Sequence, residues 1–180
     1  MSKIYLDMDG VIADFFGGLA KFYGVEHWKM VREDKIYGLK GSNFFYTLDA
    51  FETSHQLVDE VERIAKENNM DWGINSSPLR GDMMNSAFHK RRWLELYDFM
   101  PNVENLVFTG QKENYATNRL DGSPNILIDD KPTNIKKWIE KGGIGIRYQA
   151  NEDDLEYLIP KIKEAVEYVT SGNFKYPNGV

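Results

Sequence analysis

Short apolar runs recur along the chain, and most give way at their C-terminal end to polar residues. Ile4-Tyr5-Leu6 leads into Asp7-Met8-Asp9-Gly10, and Met70–Ile74 into Asn75-Ser76-Ser77-Pro78. Val103–Phe108 leads into Thr109-Gly110-Gln111-Lys112, and Asn125–Ile128, the most strand-like run, into Asp129-Asp130-Lys131-Pro132. Ile144-Gly145-Ile146 is the last of the set. Apolar runs of this length bounded by turn residues predict buried strands.

Between these runs the spacing becomes helical. Asp14–Tyr23 carries Phe15, Phe16, Leu19, Ala20, Phe22 and Tyr23, weakened by Gly17-Gly18 and stopped at Gly24. Thr53–Asn69 is the clearest helix, with Thr53 or Ser54 as N-cap and an apolar stripe of Leu57, Val58, Val61, Ile64 and Ala65. Phe88–Phe99 reads as a helix with Phe88, Trp93, Leu94, Leu96 and Tyr97 on its apolar side and the basic run His89–Arg92 on a solvated face. Thr133–Lys141 is a short helix closed by Gly142-Gly143, and Asp153–Thr170 an amphipathic one that Pro160 is expected to split or kink. His27–Gly41 predicts short helices and loops, Asn114–Asn118 a short helix or loop, and Ser171–Val180 a weakly ordered tail.

Strands near 3–6, 71–75, 104–109, 125–128 and 144–146, alternating with helices, predict an α/β fold: a Rossmann-like, doubly wound parallel sheet. Residues 1–14 and 70–180 are expected to form the core domain. Residues 15–69 are expected to form a small helical cap inserted after the first strand, with the helix at 53–69 able to pack on the core.

Composition narrows the chemistry. With 180 residues, 42% hydrophobic and 28% charged, the chain suits one soluble domain with a proper core. There is no cysteine, which excludes disulfides, thiolate metal sites and a cysteine nucleophile. A net charge of −6 speaks against a broad nucleic-acid surface but not against a small phosphorylated substrate, since a bound cation can supply local positive charge. No apolar run approaches a membrane span and no basic-then-apolar leader opens the sequence, so a cytoplasmic protein is the expectation, as monomer or homodimer.

In open α/β sheets ligands bind beyond the carboxyl ends of the strands, where the polar clusters fall. Asp7 and Asp9 beside Gly10 suggest a divalent cation and chemistry; an Asp-Gly turn closing a strand is the competing explanation. Ser76 and Ser77 suit phosphate oxygens, with Arg80 near the same anion, although for Ser-Ser-Pro alone a plain capped turn is the more frequent explanation. Lys112 is a candidate fixed cation. Asp129 and Asp130 repeat the acidic pair, and two such pairs on one sheet edge repel unless a cation lies between them. Phe15 or Phe16 either packs in the core or faces a planar ligand, and Phe44-Phe45-Tyr46 forms either core, a seam or a stacking wall for a base. His27, His55 and His89 have no evident partner, so the available nucleophile is a carboxylate. A carboxylate attacking phosphorus forms an aspartyl-phosphate, and Mg2+ suits carboxylates plus a substrate phosphate.

The run DMDGVIAD resembles the first motif of the haloacid dehalogenase superfamily of phosphatases. The serine after the second strand, Lys112 and the Asp-Asp pair in LIDD follow in that family's order. DMDGVIADF, SNFFYTL, NSSP and LIDDKPTN are similar to the 5'(3')-deoxyribonucleotidase branch. The resemblance implies a magnesium-dependent phosphomonoesterase acting on nucleoside monophosphates, with Asp7 as nucleophile and Asp9 as general acid/base. It implies metal ligation by Asp7, the Asp9 backbone carbonyl and Asp130, with Asp129 in support, and phosphate binding by Ser76, Lys112, Ser77 and Arg80. Phe15 and Phe44 or Phe45 would then lie near the nucleoside under the helical cap. Ser76 stands where the branch often has threonine, and its base-enclosing aromatic segment is hard to match between Trp28 and Gly41. Another phosphorylated metabolite, or a nucleic-acid 3'- or 5'-phosphate end reached through the Lys90–Arg92 run, is the alternative substrate.

Overall fold

A computed structural model of the chain describes residues 1–172. Five strands, β1 (Lys3–Leu6), β2 (Asp71–Ser76), β3 (Leu106–Phe108), β4 (Ile126–Asp129) and β5 (Ile144–Arg147), form one parallel sheet in the order β3-β2-β1-β4-β5. The helices are α1 (Phe15–Tyr23), α2 (Ser54–Glu67), α3 (Met83–Tyr97), α4 (Pro132–Glu140) and α5 (Leu155–Thr170). This is the expected Rossmann-like architecture. The order places β1 at the centre, flanked by β2 and β4, so the three strands carrying the Asp, Ser and Asp-Asp clusters are immediate neighbours.

Parallel sheets are buried on both faces, and the side-chain alternation of the strands shows it. Ile4, Leu6, Ile74, Ile126 and Ile128 pack into the larger core with α2, α3 and α5. The alternate residues Tyr5, Leu127 and Val107 pack under Trp138 of α4 on the opposite side. Gly73 lets strand β2 lie against the neighbouring backbone, since a Cβ there would come within 2.3 Å of the Asn105 carbonyl oxygen.

The turn after β1 is tightly wound. Val11, Ile12 and Ala13 each donate a backbone N–H to the Met8 carbonyl, and Gly10 N–H returns to Ala13 O. Residues 15–52 form α1 and three short 3-10 segments. The chain leaves and re-enters this segment side by side: Ala13 bridges Ala50 antiparallel, Asp14 N–H donates to Asp49 O, and Phe51 N–H donates to Ile12 O. Helix α2 packs on β1, β2 and α5. Its Ser54 hydroxyl donates to Ile12 O, which ties the helix start to the β1 turn.

Two helix expectations change. Helix α3 begins at Met83, ahead of Phe88, and its buried residues are Ser86, Lys90, Trp93 and Leu94, while Phe88 and Leu96 are exposed. The basic run therefore does not lie wholly on a solvated face. Helix α5 runs through Pro160 unbroken: the ring sits in the second turn, and the helix holds its place through Leu158, Ile162, Ala165, Val166 and Val169 in the core. The predicted tail from Ser171 onward lies, beyond residue 172, outside the described residues. Among the described residues no helix is long and apolar enough to cross a membrane.

Candidate active site

The carboxyl ends of β1, β2 and β4 open into one cleft of about 1110 Å³, just above the usual range for small-molecule sites. Asp7, Asp9, Ser77, Arg80, Lys112 and Asp130 all line it. Five residues drawn from four separate stretches of sequence thus share a cleft with Asp7 because the parallel topology points every strand the same way.

The acidic residues converge. Carboxylate oxygens of Asp7, Asp129 and Asp130 lie within 4.8 Å of one another, the one such grouping found among the described residues. Asp7 extends β1, its N–H donating to Ile128 O. Asp129 ends β4 fully buried and well satisfied: it accepts from the Lys131 N–H at 2.8 Å, from Asn134 Nδ2, and from Lys112 Nζ at 2.6 Å. Asp130 reaches the cleft across Gly10, whose φ is +79°. A Cβ on Gly10 would fall 2.7 Å from Asp130 Oδ2, so only glycine leaves the carboxylate its place.

Two lysines answer these charges. Lys112, 3% exposed, pairs with Asp7 at 2.8 Å and Asp129 at 2.6 Å. Burial works against its charge, but the two carboxylates outweigh it and hold its pKa above the ordinary lysine value. Lys90, fully buried, donates to Asp9 Oδ2 at 2.6 Å and to Ser76 Oγ at 3.0 Å. Burial lifts the Asp9 pKa, with Lys90 opposing and Asp7 adding to the rise; burial and Asp7 also lift Asp129. Among the described residues Asp130 has no lysine partner of its own, and burial followed by the charges of Asp7, Asp129 and Asp9 pushes its pKa to about 8.

The donor set fits a hard divalent cation. Four carboxylates and two ammonium groups leave a formal charge of −2, which one such ion cancels. The ligand atoms on offer are oxygens, with no histidine in the cluster and no cysteine in the chain, as Mg2+ prefers.

The remaining sequence candidates divide. Ser77 and Arg80 line the cleft, whereas Ser76 is fully buried beneath it with its hydroxyl engaged by Lys90. Phe15 lines the cleft, but Phe44 and Phe45 do not: at 1% and 5% exposure they pack in the core. Phe15 spends one edge on Phe44 and stacks on Phe45, so the triple aromatic supports the wall from behind. The aromatic surface beside Phe15 comes from Phe16 and Trp28, whose ring centroids are 4.8 Å apart. Lys90 and Trp28 are the residues that sequence reading passed over. Lys90 was legible in the helical spacing of Ser86, Lys90, Trp93 and Leu94, which puts it in the middle of the inward stripe. Trp28 lies in a segment without a period and carried no such signal.

No family model matches the chain. A search of curated proteins finds mitochondrial 5'(3')-deoxyribonucleotidase of Homo sapiens, 27% identical over 153 residues, covering 72% of this chain. This chain spans 62% of that relative's length. Among solved structures, a haloacid dehalogenase-like family hydrolase from Xanthomonas campestris matches with a TM-score of 0.58 at 9% identity, over 96% of this chain and 95% of the other. A structure described as a dehalogenase matches with a TM-score of 0.56 at 9% identity, over 87% and 88%. The chain therefore has the fold of haloacid dehalogenase-like hydrolases, and its resemblance to that superfamily extends to the deoxyribonucleotidase branch.

Proposed function

We propose that this protein is a magnesium-dependent phosphomonoesterase working through an aspartyl-phosphate, with nucleoside monophosphates as substrates. The observation that carries the reading is the convergence of Asp7 and Asp130 with Lys112 on the floor of one open cleft. The resemblance to a deoxyribonucleotidase supports the nucleotide.

In this reading a carboxylate oxygen of Asp7 attacks phosphorus while the bond from phosphorus to the leaving oxygen breaks. Asp9, protonated at the start, gives that oxygen its proton. Burial keeps a proton on Asp9 to higher pH than usual, which suits a donor. Asp9 then takes a proton from water as the water oxygen attacks phosphorus, and the bond to Asp7 breaks to release phosphate. Lys112 and Ser77 hold phosphate oxygens as charge spreads over them, with Arg80 at the cleft wall for the rest. Asp7, Asp130 and the Asp9 carbonyl would hold Mg2+, and Asp129 keeps Lys112 in place. The bound ion would orient the phosphoryl group and offset its charge.

Residues 15–52 act as a cap over the nucleoside, with Phe15, Phe16 and Trp28 as its apolar surface. The enzyme works in the cytoplasm on free nucleotides. The rival substrate, a nucleic-acid end, loses its main feature: Lys90 is turned inward, and Arg91 and Arg92 both lie against Glu95. A phosphate-release screen over deoxy- and ribonucleoside 5'- and 3'-monophosphates and a 3'-phosphorylated oligonucleotide, with and without Mg2+, tests the proposal. Mononucleotide turnover that needs Mg2+ and vanishes in Asp7→Asn is expected. Release from no mononucleotide, or faster release from the oligonucleotide, would overturn it.

A further inference from the structure

The reaction just described makes use of Lys112 but not of the second buried lysine. Lys90 sits in the middle of α3 with no exposed surface, a place lysine almost never takes unless it is paired. Its ammonium donates to Asp9 Oδ2 at 2.6 Å and to Ser76 Oγ at 3.0 Å, and it lies 4.7 Å from the centroid of the Phe45 ring. One cation thus joins the turn after β1 to the end of β2, while a packed aromatic face closes off part of the remaining space. Bringing an ammonium group into the interior costs several kcal/mol of hydration, and apolar side chains of similar volume commonly fill such positions without loss of stability. What an apolar residue would not supply is a fixed relation between these two oxygens.

We propose that Lys90 is a positioning residue that anchors the Asp9 carboxylate to the buried Ser76 hydroxyl at the end of β2, fixing how the proton donor faces the cleft. The inference rests on the proposed reading of Asp9 as the proton donor. Lys90 holds Asp9 Oδ2, which fixes the orientation of a carboxylate that lines the cleft. Phe45 acquires a purpose from the same arrangement: its ring backs the Lys90 ammonium and does not reach the substrate.

The test compares Lys90→Met and Lys90→Arg with the unsubstituted enzyme on two substrates in Mg2+. A deoxynucleoside 5'-monophosphate leaves as an alkoxide that needs a proton; 4-nitrophenyl phosphate leaves as a phenolate that does not. Lys90→Met is expected to lose about 100-fold in kcat on the nucleotide, the scale of a lost general acid, and less than about 10-fold on the aryl ester. KM should stay within about threefold on the aryl ester, and Lys90→Arg should recover part of the nucleotide rate. Equal losses on both substrates, or no loss, would overturn the proposal.

A second readout needs no activity. Urea unfolding of Lys90→Met, Asp9→Asn and the double variant should show the double variant no less stable than Lys90→Met, because once Lys90 is gone the Asp9 contact is already lost and Asp9→Asn costs nothing further. Additive losses would overturn the clamp. If the unsubstituted enzyme releases phosphate from neither substrate, the phosphatase reading falls, and the unfolding cycle still decides whether Lys90 holds Asp9.

Discussion

Gly10 shows how a single residue sets the site. It follows the two aspartates in a left-handed conformation, and the missing side chain is the space that Asp130 occupies. Gly10→Ala adds about 1–2 kcal/mol of backbone strain and drives the Asp130 carboxylate aside. Calorimetric titration with Mg2+ should show at least about tenfold weaker binding, equivalent to about 1.4 kcal/mol, with a lowered thermal midpoint; unaltered affinity would mean that Asp130 does not hold the ion. At this scale the sequence was partly legible. Asp7, Asp9, Lys112 and Asp130 stand just past apolar strands, where a charged residue is conspicuous and the strand order carries it to the cleft. Lys90 and Phe45 are easily misread, because each looks like the opposite of what it is. A lysine within a basic run suggests solvent, and an aromatic triplet near a candidate site suggests a ligand. Both are buried, one against the other.

Elements tell a similar story. The strands were readable to within a residue or two at most ends because buried parallel strands are continuous apolar runs. Helix α3 was read five residues late: its first turn, Met83–Ser86, carries exposed methionines and an inward serine, so no apolar stripe announces it. The serine has its own task there, its hydroxyl accepting from the Leu79 N–H and donating to Asp82 O. Residues 15–52 resisted a reading for a related reason. Their 3-10 segments are too short for periodicity, so Trp28 reached the cleft unannounced. If this segment covers the base, Trp28→Ala should raise KM for a nucleotide about tenfold, the equivalent of about 1.4 kcal/mol of lost stacking, with kcat within about threefold. Steady-state kinetics on the nucleotide and on a base-free phosphomonoester such as deoxyribose 5-phosphate makes the comparison. An equal KM rise on the base-free ester would remove Trp28 from base binding.

Across the whole molecule, the sheet concentrates negative charge at one edge and leaves it incompletely balanced. An unfolded aspartate titrates near about 3.9, whereas Asp130 in the fold is pushed to about 8. Between those values the folded protein binds the extra proton, so metal-free stability should fall as pH rises through this window and level off above it. Asp9 and Asp129 are displaced in the same direction and reinforce the slope. Mg2+ should reverse the effect, stabilising the protein more at pH 8 than at pH 6, because at the lower pH it competes with a proton on Asp130. Urea midpoints at several pH values, with and without the ion, measure this. A metal-free midpoint that rises steadily with pH across the window would show that the cluster is not strained by its own charge.

The proposed chemistry hinges on one covalent bond, between Asp7 and phosphorus, and it can be observed. A single turnover of a deoxynucleoside monophosphate with Mg2+, stopped in acid and digested, should yield the peptide spanning Asp7 with a phosphoryl group on that aspartate, and the Asp7→Asn variant should yield none. Phosphate released at full rate with no adduct at Asp7, or an adduct on another residue, would contradict the mechanism.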